Sequence, residues 1–400
     1  MADAGELFGR EQVERARRYW RPRYAAALAN GLLGLALLAV LAFGPPGDRL
    51  YALFDGWPRW AAAAGFAAAT LVLGAILRLP VSFWAGFEHE RTWGFSTQTL
   101  AGWVIDWLKS LGMGVALAVP ALAGLIGTAR AFPSWWPLIA ASAASVLVLL
   151  LAWAAPVVLE PLFNRTRPLE DGDLAAELRA LAEEAQVPVR DVLVTDASRR
   201  TRKLNAYVSG LGSTRRVVLF DTLAGAAPPE EVRLVVAHEL GHRRARHLAK
   251  GTLLAMAGAA LFVLALWGLL QWGALLAAIG ATGPGDPRVI PFVLLLGGCL
   301  EALLSPLGSA LSRRWERQAD AFSLALTRDP ETFESTHRRL ALANLSDLAP
   351  PRLVYLAWFT HPTAPERIVE ARRASSSPER RATRAARARR GAGASRGGRA

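Results

Sequence analysis

Residues 235–270 read VVAHELGHRRARHLAKGTLLAMAGAALFVLALWGLL: two histidines flank a glutamate, and a run without charge follows. Both parts bear on the fold. At about 100° per residue, His238 and His242 lie about 40° apart on one face of a helix, and Glu239 falls about 60° from His242. Upstream, Pro228 or Pro229 suits a first helical turn, and Glu230 and Glu231 complement its N-terminal dipole. The second part is long enough to cross a bilayer, because about 18 or more apolar residues span the hydrocarbon core. A helix with metal-ligand spacing therefore leads almost directly into a membrane segment.

Working outward, further apolar runs of that length predict spans at 24–44, 60–77, 111–128, 135–159, 252–280 and 289–311. The second run is followed by LPVSFWAGF, where Pro80 is expected to kink or end the helix. The first span reads as a signal anchor, not a cleavable signal, since its apolar core is long and 23 mostly polar residues precede it. Composition agrees with a membrane protein: 52% of the 400 residues are hydrophobic, 14 are Trp, and only 20% are charged, against about 25% in soluble domains.

Basic residues orient the spans. Residues 1–23 carry six Arg, the 45–59 loop has two and the 129–134 loop has one, which puts the N-terminus in the cytoplasm. Four spans return the chain there at residue 160, and two more return it at 312. The expected layout is a 1–23 cytoplasmic segment, a four-span domain over 24–159, and a first lobe segment over 160–251. Two spans over 252–311, a second lobe segment over 312–373 and a disordered tail over 374–400 complete it. The net charge of +13 sits mostly in that tail: residues 371–400 hold ten Arg against one Glu. Such a tail reads as a solvated segment touching anionic lipid, not a specific nucleic-acid binder.

Chemistry is then sought on the cytoplasmic side. The single cysteine, Cys299, lies in an apolar run, so a metal must be held by His and carboxylate. His238 and His242 are spaced to chelate one Zn²⁺, with Glu239 placed as a base. An open zinc site lowers the pKa of its water to about 7. His247, about 180° from His238 on a continuous helix, is not a ligand and is expected to be interfacial or solvated. A third ligand must come from elsewhere. In SALSRRWERQADAFSLAL (309–326), Glu316 and Asp320 share a helical face. Glu316 is the proposed ligand, and Asp320 the acceptor orienting a ligating imidazole. The competing reading pairs them with Arg313 and Arg317 as an ordinary surface pattern. Glu301, inside the sixth span, is expected to line a cavity.

The chain resembles the type I CAAX prenyl endopeptidases and their bacterial homologues. FNRTRPLEDGDL (163–174), LNAYVSGL (204–211), RRVVLFDTL (215–223), HELGH (238–242), RRWERQADAF (313–322) and HPTAPERI (361–368) carry the likeness, in the family's order and spacing. The resemblance implies a mainly α-helical integral membrane protein of about six transmembrane helices with a split cytoplasmic α+β lobe of gluzincin type. It also implies a large water-filled chamber that the zinc faces, and Glu316 as third ligand. Asn205, Ala206 and Tyr207 would lie along the substrate, with Asn205 otherwise a turn residue between strands. His361 would stabilise an oxyanion, and Arg367 would contact substrate; a turn histidine before Pro362 is the plainer reading of His361.

The expected protein is a multi-pass enzyme of the plasma membrane, a zinc metalloendopeptidase with one Zn²⁺ per chain. Its termini and active site are expected in the cytoplasm. Its partners are the bilayer and a peptide or protein, lipid-modified or membrane-embedded, and no specific nucleic acid. The alternatives are a membrane-protein quality-control metalloprotease and a non-enzymatic transporter or receptor. Glu239 beside two ligands argues against the last, since structural zinc takes four ligands and no base.

Overall fold

The computed structural model describes residues 4–170, 172–187, 191–209 and 216–376. The Arg-rich tail lies almost wholly outside the described residues, as do Gly210, Leu211 and Arg215 of the two quoted strand segments.

In chain order, the first spans are α1 (Arg10–Phe43), α2 (Arg59–Phe83), α3 (Leu100–Ala131) and α4 (Trp136–Ala154). Pro80 does not end α2, which continues through a π turn (Trp84–Glu88) to Thr92. A lobe follows, with β1 (Thr166–Pro168), α5 (Asp173–Glu184), β2 (Asp191–Thr195), β3 (Ala206–Ser209), β4 (Arg216–Phe220) and α6 (Pro229–Arg244). The chain re-enters the apolar section as α7 (His247–Leu269) and α8 (Val289–Thr327). It closes with α9 (Pro330–Ala343), α10 (Arg352–Trp358) and α11 (Ala364–Ser376). Among the described residues, six helices are thus long and apolar enough to span, the number expected from sequence.

The fifth span is shorter at its far end than the apolar run suggested. It stops at Leu269, and a separate short helix, Gly273–Ala278, follows. Starting at His247, its 23 residues already reach about 34 Å, enough to cross the hydrocarbon core. The helices pack around Phe66, Trp136, Leu266 and Ile290, while Leu149, Leu253, Leu261 and Leu303 stay exposed on their outer faces. Apolar side chains outward, with backbone hydrogen bonds closed inside helices, suit lipid and not water. Trp57, Trp60, Trp135 and Trp272 are exposed at the connections remote from the lobe, where an aromatic belt meets the membrane surface.

The lobe is built around a four-stranded sheet of order β1-β2-β4-β3. β2 and β4 run parallel, and β1 and β3 pair antiparallel to them. β3 is therefore an edge strand. Val217 and Leu219 of β4 pack with Val232, Val236 and Leu240 of α6, and Phe322, Leu326 and Leu340 from the second lobe segment close the same core. Residues before the fifth span and after the sixth thus fold as one lobe. α8 is continuous for 39 residues, so the sixth span and the helix carrying Glu316 are a single rod.

Candidate active site

The site forms where α6 crosses α8, and Gly241 sets their separation. A Cβ at Gly241 would stand 3.0 Å from Ala319 Cα and 3.1 Å from Ala319 O. These are backbone atoms that cannot turn aside. Ser323 Oγ, on the next turn, donates to Leu234 O at 3.1 Å and locks the crossing. At this closeness His238, His242 and Glu316 offer ligand atoms within 4.8 Å of one another. His238 Nε2 and His242 Nε2 are 3.1 Å apart, and lie 3.3 Å and 3.2 Å from the Glu316 carboxylate. Two imidazoles and one carboxylate converging on a point are a suitable donor set for a zinc-like cation.

The groups behind this triad are ordered too. Asp320 Oδ1 lies 2.8 Å from His238 Nδ1, where it directs the opposite nitrogen toward the metal point. Burial alone would lower the His238 pKa, but the Asp320 and Glu316 carboxylates push it up to about 9. A cation arriving there must displace a proton. Arg367 donates to Glu316 Oε2 at 2.7 Å and stands 2.9 Å from Asp320 Oδ2, tying the two acids together. Its guanidinium is thus turned to the carboxylates, although the residue also lines the adjoining cavity. Arg367 also lies 3.1 Å from His337 Nε2, while His337 Nδ1 bonds Phe333 O at 2.9 Å. Burial and then the Arg367 charge push the His337 pKa down to about 3, so this ring is neutral and accepts from arginine.

Glu239 follows His238 on α6 and is half-buried. His361 approaches from the opposite side, its Nε2 3.3 Å from Glu316 Oε1. Its Nδ1 is 2.8 Å from the Thr360 hydroxyl. These contacts assign the hydroxyl as donor to Nδ1, so Nε2 carries the proton and points into the site. Partial desolvation lowers the His361 pKa, although the side chain stays exposed. The segment after it explains the aim of Arg367. Thr363 and Glu366 form a reciprocal capping box, with Thr363 N donating to Glu366 Oε2 at 2.8 Å and Glu366 N to Thr363 Oγ1 at 3.4 Å. That box starts α11 and directs Arg367 back onto α8.

Asn205 is exposed at the start of β3, its Oδ1 accepting from Ala206 N at 2.9 Å and its carbonyl from Phe220 N at 3.0 Å. Ala206 is buried, and the Tyr207 hydroxyl donates to Glu160. The three thus sit on the edge strand packed beside α6, not in the metal cluster itself. A cavity of about 1160 Å³ opens from the site into the helices, lined by His361 and Arg367 at one end and by Asn30, Arg78, Glu301 and Ser305 farther along. Glu301 lines a cavity, as its cost in lipid suggested.

Several contributors carry no sequence signal. Arg313, a candidate surface partner of Glu316, is buried and donates to Tyr355 O at 2.9 Å, holding the segment that leads to His361. Asn344 clamps Leu204 just before β3, Oδ1 accepting from its N–H at 2.9 Å and Nδ2 donating to its carbonyl at 3.0 Å. His247 corrects an expectation. It is 4% exposed, which overturns the solvated alternative alone, and its Nδ1 lies 3.0 Å from His242 Nδ1. A 180° separation holds only on one continuous helix, whereas α6 ends at Arg244 and the chain turns at Arg246 (φ 56°).

Residues 168–375 match the profile of peptidase family M48, and residues 3–165 match the CAAX prenyl protease N-terminal region, described as five membrane helices. Among the described residues, this stretch holds four helices of span length. The Bacillus subtilis protein named uncharacterized metalloprotease YhfN is 29% identical over 325 residues, 80% of this chain and 76% of that one. CAAX prenyl protease 1 of Saccharomyces cerevisiae is 29% identical over 315 residues, covering 74% and 69% respectively. The crystal structure of S. mikatae Ste24p matches with a TM-score of 0.81 at 25% identity, over 90% of this chain and 89% of that one.

Proposed function

The chain belongs to peptidase family M48 and is a multi-pass membrane metalloendopeptidase, and from that premise we propose how its site works and on what. His238, His242 and Glu316 hold one Zn²⁺, and Asp320 orients His238. The observation that carries this reading is the approach of two Nε2 atoms and one carboxylate at 3.1–3.3 Å, beside the mouth of a membrane-facing cavity. When bound, the zinc supplies Lewis acidity, polarising the scissile carbonyl and acidifying water to a pKa of about 7.

The chain's own residues supply the rest. Glu239 takes the proton of the attacking water and returns it to the leaving amine. His361 donates from Nε2 to the developing oxyanion. The free edge of β3 receives an extended peptide by strand addition, with Asn205 as donor to a peptide carbonyl and Tyr207 held in place by Glu160. Arg367 fixes Glu316 and Asp320, the acids that frame the site.

The substrate is proposed to be a lipid-modified or membrane-embedded peptide whose apolar part occupies the cavity between α1, α2 and α8. The relatives named CAAX prenyl protease 1 favour a prenylated cysteine next to the cleaved bond. By the basic-residue asymmetry, the lobe is proposed to face the cytoplasm, and the membrane is proposed to be the plasma membrane. Glu239→Gln tests the mechanism: zinc stays at one per chain, and peptide cleavage falls by about 10²–10⁴-fold. Retained cleavage in a clean preparation sinks it. Profiling membrane peptides from wild-type and Glu239→Gln cells identifies the substrate. Equal cleavage of a prenylated peptide and its unprenylated twin would instead favour quality-control proteolysis.

A further inference from the structure

We propose that His247 and Gln318 form a hydrogen-bonded strut that fixes the ring orientation and tautomer of His242 for metal binding. The inference rests on the metal-site reading above and adds two positioning residues to it.

The strut begins with the way α6 ends. Ala245 caps the helix, Arg246 takes a left-handed conformation, and α7 starts at once with His247. That reversal folds His247 back over the ring it has just passed. The His242 and His247 centroids are 5.1 Å apart with planes at 73°, and the two Nδ1 atoms are 3.0 Å apart. Behind His247, the indole of Trp315 stacks on the imidazole at 5.0 Å and 10°. The far nitrogen, Nε2, lies 2.9 Å from Gln318 Oε1.

Proton accounting along this row leaves one arrangement of neutral rings. His242 Nε2 faces His238 Nε2 and the Glu316 carboxylate, so its lone pair must be there for a cation to bind. The His242 proton is then on Nδ1 and is donated to His247 Nδ1. His247 accepts at that atom, so its own proton is on Nε2 and is donated to Gln318 Oε1. Gln318 therefore presents its oxygen and not its amide nitrogen, an assignment the network dictates. Each of the two contacts in this row has one donor and one acceptor.

His247 does not serve as a ligand itself, because it contacts His242 at Nδ1, the side away from the metal point. The two histidines are thus backed differently. An anionic carboxylate stands behind His238, whereas a neutral imidazole stands behind His242 and directs it without adding charge. Groups in this position tune metal affinity by holding the ligand in one tautomer and one orientation. Here the strut also joins the membrane section to the site, since His247 is the first residue of the fifth span and Gln318 rides on the rod of the sixth.

The test uses the purified full chain in detergent. Zinc affinity is read by chelator competition, the ligand field by the visible spectrum of the cobalt-substituted protein, and integrity by the unfolding midpoint of the metal-free protein. His247→Phe keeps a ring against Trp315 but loses the acceptor, and Gln318→Leu removes the far end. Both are expected to weaken zinc binding by about 10–100-fold and to shift the cobalt bands, with the metal-free midpoint unchanged. His247→Asn, whose Oδ1 replaces Nδ1 as acceptor, is expected to restore most of both signals. Wild-type affinity in His247→Phe and Gln318→Leu overturns the strut. So does a loss in His247→Asn as large as in His247→Phe accompanied by a lowered metal-free midpoint, which is the mark of packing alone. Failure of the underlying reading looks different: the wild type binds no zinc, or Glu316→Ala binds as well as wild type, and the strut falls with it.

Discussion

Residues 160–251 and residues 312–376 contribute to one lobe by different means. In the first segment the chemistry is local: His238, Glu239 and His242 occupy little more than one turn of α6, and β3 lies beside them as an edge strand. In the second, Glu316 and Asp320 come from α8, His337 from α9, and His361 and Arg367 from the segment that opens α11. The first segment presents a motif, and the second encloses it with a network. A motif survives in any helix that keeps its spacing. The network exists only if four elements are packed in register. Substitutions in the two segments should therefore fail differently, in chemistry for the first and in assembly for the second.

The sharpest break comes at Glu316. Glu316→Ala removes the proposed third donor and leaves Arg367 facing Asp320 and His337 alone. Loss of one partner from a buried charged group costs about 3–5 kcal/mol, so zinc per chain should fall toward zero and the unfolding midpoint should drop. Unchanged zinc content would refute the ligand assignment. Next in size is Gly241→Ala, at the joint between the segments. The added methyl meets the backbone of Ala319 at 3.0–3.1 Å, and overpacking of this kind costs about 1–3 kcal/mol. Since α6 and α8 must separate to admit it, zinc affinity should fall with stability, although no ligand has changed. A stable Gly241→Ala protein with wild-type zinc affinity would show that the crossing tolerates more than its distances imply.

The same contrast explains what was legible in the sequence. Six spans and the two-histidine helix follow from patterns within single short stretches of chain, apolar length and helical period, whereas the edge position of β3 depends on the order of the whole sheet. Glu316 was reachable because a His₂ site lacks a donor and a carboxylate pair stood on the expected side. His337, Arg313 and Asn344 were not reachable. Each owes its role to a partner 30 to 140 residues away, and its neighbours in sequence look like those of an ordinary amphipathic helix or turn. His247 was misjudged for the opposite reason. It lies within the motif's own neighbourhood, but the helical period holds only to Arg244, three residues short of it.

Asn344 supplies a smaller test of the join. Its side chain holds both polar backbone groups of Leu204, one residue before the strand segment assigned to substrate. Asn344→Ala should cost about 1 kcal/mol of stability and leave zinc content unchanged, because no metal-site contact is touched. KM for a peptide should rise more than kcat falls, measured on the same preparation. Equal losses in both would place Asn344 in general packing instead of strand positioning.

The mildest prediction concerns Arg246, where the first segment hands over to the membrane. A non-glycine residue at φ 56° carries a left-handed penalty of about 1–2 kcal/mol, partly recovered on mutation because glycine gives the unfolded chain more freedom. Arg246→Gly should therefore stabilise the protein by about 0.5–1 kcal/mol, read as a small rise in unfolding midpoint. Zinc affinity should stay at the wild-type value, because the turn that places His247 over His242 is kept. Arg246→Val should do the reverse, since a β-branched side chain resists this conformation most strongly. If the valine variant loses zinc affinity as well as stability, the handedness of one residue is setting the geometry of the site across the break between α6 and α7. If it loses stability alone, packing against Trp315 is enough to hold His247 in place.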